Sequence, residues 1–190
     1  MNADPRTDEM PVIRPSATTV WVAMGIGTLV AVGLGVYGRF HDPTHIAVNL
    51  AGFSSGVTVK VWLATAVFVL AIVQLATAMA MYGRLGKIRG TATTAAVHRW
   101  SGRIAVLVSV PVAVHCLYAL GFQGYSTRVL VHSLLGCFFY GAFVAKMLLL
   151  SRPGGPRWLL PVLGGLVFSA LTGLWLTSSL WFFTTKGVTF

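Results

Sequence analysis

Five apolar stretches, each about twenty residues or more, dominate this chain and leave it few folds to choose from. They cover roughly 18–37, 59–82, 98–120, 129–150 and 158–183. Each matches the length an α-helix needs to cross the hydrocarbon core of a bilayer. Lipid offers no partner to a bare peptide group, so stretches of this kind must be helical. The expected fold is therefore an all-α, polytopic membrane helical bundle of five transmembrane helices, with the last four spans as a four-helix core. Residues 18–190 form one domain, and residues 1–17, polar and proline-rich without periodicity, form a disordered cytoplasmic tail.

Charge narrows the functional classes. Only 9% of the 190 residues are charged, against about 25% in ordinary globular proteins. Asp4, Asp8 and Glu9 fall in the tail, and Asp42 is the remaining carboxylate. No span carries one, which argues against ion-coupled transport, where an intramembrane carboxylate is the usual carrier. The net charge of +10 does not point to nucleic acid, because the basic residues gather at the ends of the apolar stretches, where lipid headgroups lie. With the N-terminus inside, ten of them (Arg6, Arg14, Arg84, Lys87, Arg89, Arg99, Arg103, Lys146, Arg152, Arg157) fall on the inner side. Arg39, Lys60, Arg128 and Lys186 fall outside. That asymmetry predicts an N-in, C-out protein of a bacterial cytoplasmic membrane.

Local signals add detail. Gly27, Ala31 and Gly35 stand at four-residue steps in the first span, and Gly165, Ser169 and Gly173 in the last. Both ridges would let a neighbouring helix approach closely. Asp42-Pro43 has the form of an N-cap and first helical residue, predicting a short surface helix over 43–51. A positive loop spans 83–97. Gln74 is the one strongly polar residue inside the second span, and Cys116 and Cys137 have the character of small apolar filler. Pro111 leaves the Leu107 carbonyl without its helical donor and predicts a bend one turn before His115.

The chemistry lies in the histidines. Val97-His98-Arg-Trp-Ser-Gly102 and Val131-His132-Ser-Leu-Leu-Gly136 repeat one pattern at the start of consecutive spans, and His115 lies near the far end of the first of them. A histidine within a span is uncommon and marks function until explained otherwise. His115 lies nine residues before Gly124, in the connecting turn, and His132 eight after it. At about 1.5 Å per residue their depths agree within roughly 2 Å. Two neutral imidazoles at one depth suit the axial ligation of a single haem b iron, and Gly136, one turn beyond His132, would let a porphyrin lie near the backbone. The competing reading is that each histidine bonds a neighbouring carbonyl and binds nothing. His98 has no second histidine on its side and fits an interfacial residue beside the arginines. His41 and His45 fall in the loop after the first span; these three are secondary candidates.

The two Val-His-x-x-x-Gly patterns and the intervening His115 resemble small transmembrane b-type cytochromes, the ascorbate-reducible four-helix di-haem family and its bacterial relatives. They also resemble a small bacterial membrane family of unestablished function. The first resemblance extends over about 60–183. It implies a four-helix haem core with His115 and His132 as ligands. The chain departs from the di-haem pattern, because its second and fifth spans contain no histidine. The expected function is a haem b electron-transfer subunit, exchanging electrons with a quinol or a redox protein at the outer face, with an oligomer left open. The alternative is a cofactor-free anchor or assembly protein with structural histidines.

Overall fold

The computed structural model describes residues 17–46, 49–50, 52–86, 88–152, 156 and 158–190. The expected tail therefore lies outside the described residues, apart from Ala17, which opens the first helix. Five helices are long and apolar enough to cross a membrane. They are α1 (Ala17–Phe40), α2 (Gly56–Met81), α3 (Ala92–Val114), α4 (Thr127–Leu150) and α5 (Leu159–Trp175). A π-helical turn, His115–Leu120, extends α3, and a second, Leu176–Leu180, joins α5 to α6 (Trp181–Lys186).

Side-chain caps start three of the helices. Ser55 and Thr58 form a reciprocal capping box at α2. Thr91 accepts from the Thr94 N–H at α3, and Ser126 from the Val129 N–H at α4. The Thr91 cap starts α3 six residues before the expected position. The loop expected over 83–97 is correspondingly shorter, and His98 lies well inside a helix.

Small residues make up much of what is buried, and many large apolar side chains face outward. Ala23, Ala71, Ala80, Ala119, Ala145 and Ala170 are buried, while Leu29 is 72% and Leu107 71% exposed. A lipid-facing surface of this kind leaves close packing of small residues to hold the helices together.

The ridge on α1 does so against α4. A Cβ added to Gly27 would stand 2.6 Å from the Gly141 carbonyl oxygen and 2.8 Å from the Ala145 Cβ, and one on Gly35 would meet the Cys137 Sγ at 3.7 Å. The ridge on α5 behaves differently. Gly173 sits against Leu135 of α4, but Gly165 has open space around it and Ser169 is exposed, so that stripe packs at one end.

α2 packs along α3 and α4 along α5, and α5 touches α2 through Trp175, whose ring stacks on Phe68 at 4.6 Å. α3 and α4, although consecutive, do not pack along their length. Tyr140 bridges them by donating to the Ser109 carbonyl and side-chain oxygens, both at 3.1 Å. The four helices α2 to α5 thus surround a space, and α1 lies against α4 on the outside.

The surface helix expected over 43–51 is not formed. Residues 43–46, 49 and 50 are non-helical, with 47, 48 and 51 outside the described residues. The loop instead serves the end of α3. Thr44 N–H and Thr44 Oγ1 donate to the Tyr118 carbonyl, and His45 N–H to that of Ala119. These carbonyls have no helical partner of their own, and supplying them draws His45 to a φ of 56°. Beyond Pro111 the chain enters the π-helical turn that begins at His115.

Candidate functional site

A cavity of ≈ 450 Å³ fills the space between α2, α3, α4 and α5, within the usual size of small-molecule sites. Its wall is mainly apolar, including Val61, Val112, Leu174 and Trp175, and it takes in His132, Gly136, Cys116 and Cys137. Leu34 of α1 completes one side. Both π-helical turns flank it, and such turns concentrate at functional positions.

His132 stands in the second turn of α4. Its Nδ1 lies 3.0 Å from the Thr177 hydroxyl, which belongs to the π-helical turn after α5. Thr177 Oγ1 donates its one hydrogen back to its own helix, to the Gly173 carbonyl at 2.7 Å. It can then only accept from the imidazole. That geometry suits the tautomer with its proton on Nδ1, which leaves the Nε2 lone pair available. This is how a partner orients a ligating histidine and selects its tautomer. Four residues on, Gly136 also lines the cavity, and a Cβ built there would meet only Leu174, at 3.9 Å.

His115 opens the other π-helical turn. Its Nε2 is enclosed yet has no hydrogen-bond partner, the one such buried side-chain atom among the described residues. An unpaired buried polar atom costs about 1–3 kcal/mol, so it calls for a physical explanation. The His115 ring is not part of the cavity wall, whereas its neighbours Ala113 and Cys116 are. Lys60 of α2 stands within electrostatic reach of His115, Cys116 and His132. The structure thus brings the expected pair to one end of the bundle beside one cavity, with His132 in its wall and His115 adjacent to it.

The secondary candidates separate. His41 stacks between Tyr37 and Tyr118, at 4.9 and 5.0 Å, and its Nε2 donates to the Tyr118 carbonyl. It pins the end of α1 to the π-helical turn. His45 lies at the cavity edge. His98 is not the simple interfacial residue expected. Its Nδ1 lies 2.9 Å from the Thr77 hydroxyl, and Thr77 Oγ1 donates to the Val73 carbonyl of its own helix at 2.7 Å. The arrangement repeats that of His132 and Thr177 on the opposite pair of helices. Gln74 secures it by donating to the His98 carbonyl and to Ser101 Oγ, and Gly102 leaves room for that amide, with a Cβ there 3.2 Å from Gln74 Oε1.

Thr77, Thr177, Lys60 and Arg128 carried no sequence signal as site residues. A threonine inside a span satisfies its hydroxyl on its own helix and becomes visible only once the facing histidine is placed. Lys60 and Arg128 sit near the ends of apolar spans, where cations are ordinary.

No curated protein and no solved structure matches the chain. Residues 20–190, which take in all five histidines and both π-helical turns, match the model of a family of unknown function (DUF6529), and the chain belongs to that family.

Proposed function

We propose that this protein is an integral membrane haem b protein, an electron-transfer subunit in which His115 and His132 hold one haem iron inside the α2–α5 cavity. The observation that carries the reading is the pair of imidazoles at one cavity. His132 has Nε2 free by virtue of its Thr177 bond, and His115 has an enclosed Nε2 with no partner. Gly136 lines the same wall, where an added Cβ would meet only Leu174, at 3.9 Å. The spacing of α3 and α4, consecutive but not packed together, removes the steric objection that two directly adjacent helices about 8–10 Å apart would raise. The reading requires the His115 ring to turn into the cavity.

When bound, such a group would supply one-electron transfer, with His115 and His132 as the residues that would hold it. The protein's own contribution is a mainly apolar slot and the Thr177 contact that orients His132. Electrons would pass to or from a quinol or a redox protein at the outer face. The side carrying the 82–91 loop is assigned to the cytoplasm from its excess of Lys and Arg.

A second reading, a cofactor-free anchor or assembly protein with structural histidines, draws on the position of His115 outside the cavity wall and on His41, which serves packing alone. An absorption spectrum of the protein purified from a haem-sufficient host separates the two. Sharp reduced-minus-oxidised bands that vanish in both His115→Ala and His132→Ala, and persist in Cys116→Ser, support haem on the named pair. A colourless protein favours the anchor. Bands lost in Cys116→Ser but retained in His115→Ala would replace His115 by the cavity-lining cysteine.

A further inference from the structure

The cavity has a charged end that the protein itself does not neutralise. Lys60 of α2 and Arg128 of α4 both line it. Arg128 is fixed in place: Nη1 donates to the Thr177 carbonyl at 2.6 Å, and the guanidinium lies 3.7 Å from the centre of the Trp181 ring. Arg128 and His132 are four residues apart on α4 and so share a face, with the arginine about 6 Å nearer the start of the helix. Lys60 makes no hydrogen bond or ion pair among the described residues, where Asp42 is the only acidic side chain and does not pair with it. Two cations beside an apolar chamber suit an elongated ligand with an apolar body and anionic groups at one edge. Each cation is costly to keep near lipid unless a counter-charge meets it.

We propose that Lys60 and Arg128 receive the two propionate carboxylates of the tetrapyrrole, fixing which edge of it faces the outer end of α2 and α4. This rests on the haem reading and adds the ligand's orientation to it. Arg128 presents a planar fork suited to paired contacts with a carboxylate, and Lys60 a mobile point charge. Both are positioning residues. Their positive charges also favour the reduced state, because reduction adds an electron beside them.

The test uses the full-length protein, purified without haem from a haem-deficient host and titrated with either protohaem or its dimethyl ester, whose carboxylates are masked. The wild type is expected to bind the free acid at least tenfold more tightly than the ester. In Lys60→Gln with Arg128→Gln that preference for the acid over the ester should collapse. The single variant Lys60→Gln removes no hydrogen bond or ion pair of the described residues, so it tests the idea with little disturbance of the fold. It should retain the bands of bound haem, release haem faster and have a more negative midpoint potential; Lys60→Arg should restore both. Equal affinity of the wild type for acid and ester would overturn the assignment while leaving the haem reading intact. Failure of the wild type to take up either compound would overturn the haem reading, and this inference with it.

Discussion

The contact between Gly27 and Gly141 makes a quantitative prediction about how α1 is held. A methyl group added at Gly141 would stand 2.5 Å from the Gly27 carbonyl oxygen and 2.8 Å from the Ala31 Cβ. Ordinary contact begins at 3.4 Å, so relieving the first clash requires about 0.9 Å, the difference between 3.4 and 2.5 Å. The atom to be displaced is backbone and cannot swing aside. Overpacking of this kind costs about 1–3 kcal/mol. Ala is also a better helix former than Gly, by up to about 1 kcal/mol, and this gain must be separated from the clash. Gly33→Ala provides the control, because it lies in the same helix pair and has nothing within 4 Å of an added Cβ. Both variants gain the propensity, and only Gly141→Ala meets the clash. Thermal unfolding in one detergent, followed by far-ultraviolet circular dichroism, should place Gly141→Ala below Gly33→Ala. At about 2–4 °C per kcal/mol for a chain of this size, the gap is roughly 2–12 °C. Coincident melting curves, or a higher Tm for Gly141→Ala, would refute close α1–α4 packing through these glycines.

Thr177→Val removes the acceptor that fixes the His132 tautomer, and second-shell losses of this kind cost about 10–100-fold in affinity. Haem titration of the apo-protein should show that weakening, whereas Thr77→Val should leave haem binding unchanged; a reversed ranking would move the site to His98. Gly121 adopts a φ of 72°, and a Cβ there would lie 2.9 Å from the Gly38 carbonyl oxygen, so Gly121→Ala should destabilise the fold by about 1–3 kcal/mol. A melting temperature equal to wild type would remove the strain argument. In intact cells, a cysteine replacing Lys186 should react with an impermeant thiol reagent and one replacing Arg84 should not; the opposite pattern inverts the orientation.

The number of helices, their approximate extents and their apolar character were legible in the sequence, because bilayer length and hydropathy are local properties of the chain. So was the small-residue ridge of α1, although not its partner. The ridge states that some helix approaches closely, and only packing decides that this helix is α4. Asp42-Pro43 shows where a local signal loses. Its cap chemistry was sound, but the unpaired carbonyls at the end of α3 take up the N–H groups of Thr44 and His45 instead. The expected depth match of His115 and His132 came from counting residues along two helices, and the structure sets His132 in the cavity wall and His115 outside it. Four things came only from the tertiary structure. These are the separation of α3 from α4, the chamber it leaves, the threonines that orient His98 and His132, and the gathering of Lys60 and Arg128 at one end. Each depends on residues far apart in the chain, such as His132 and Thr177, which are 45 positions apart. A hydroxyl or a cation in an apolar span has no readable role until the opposing helix supplies its partner.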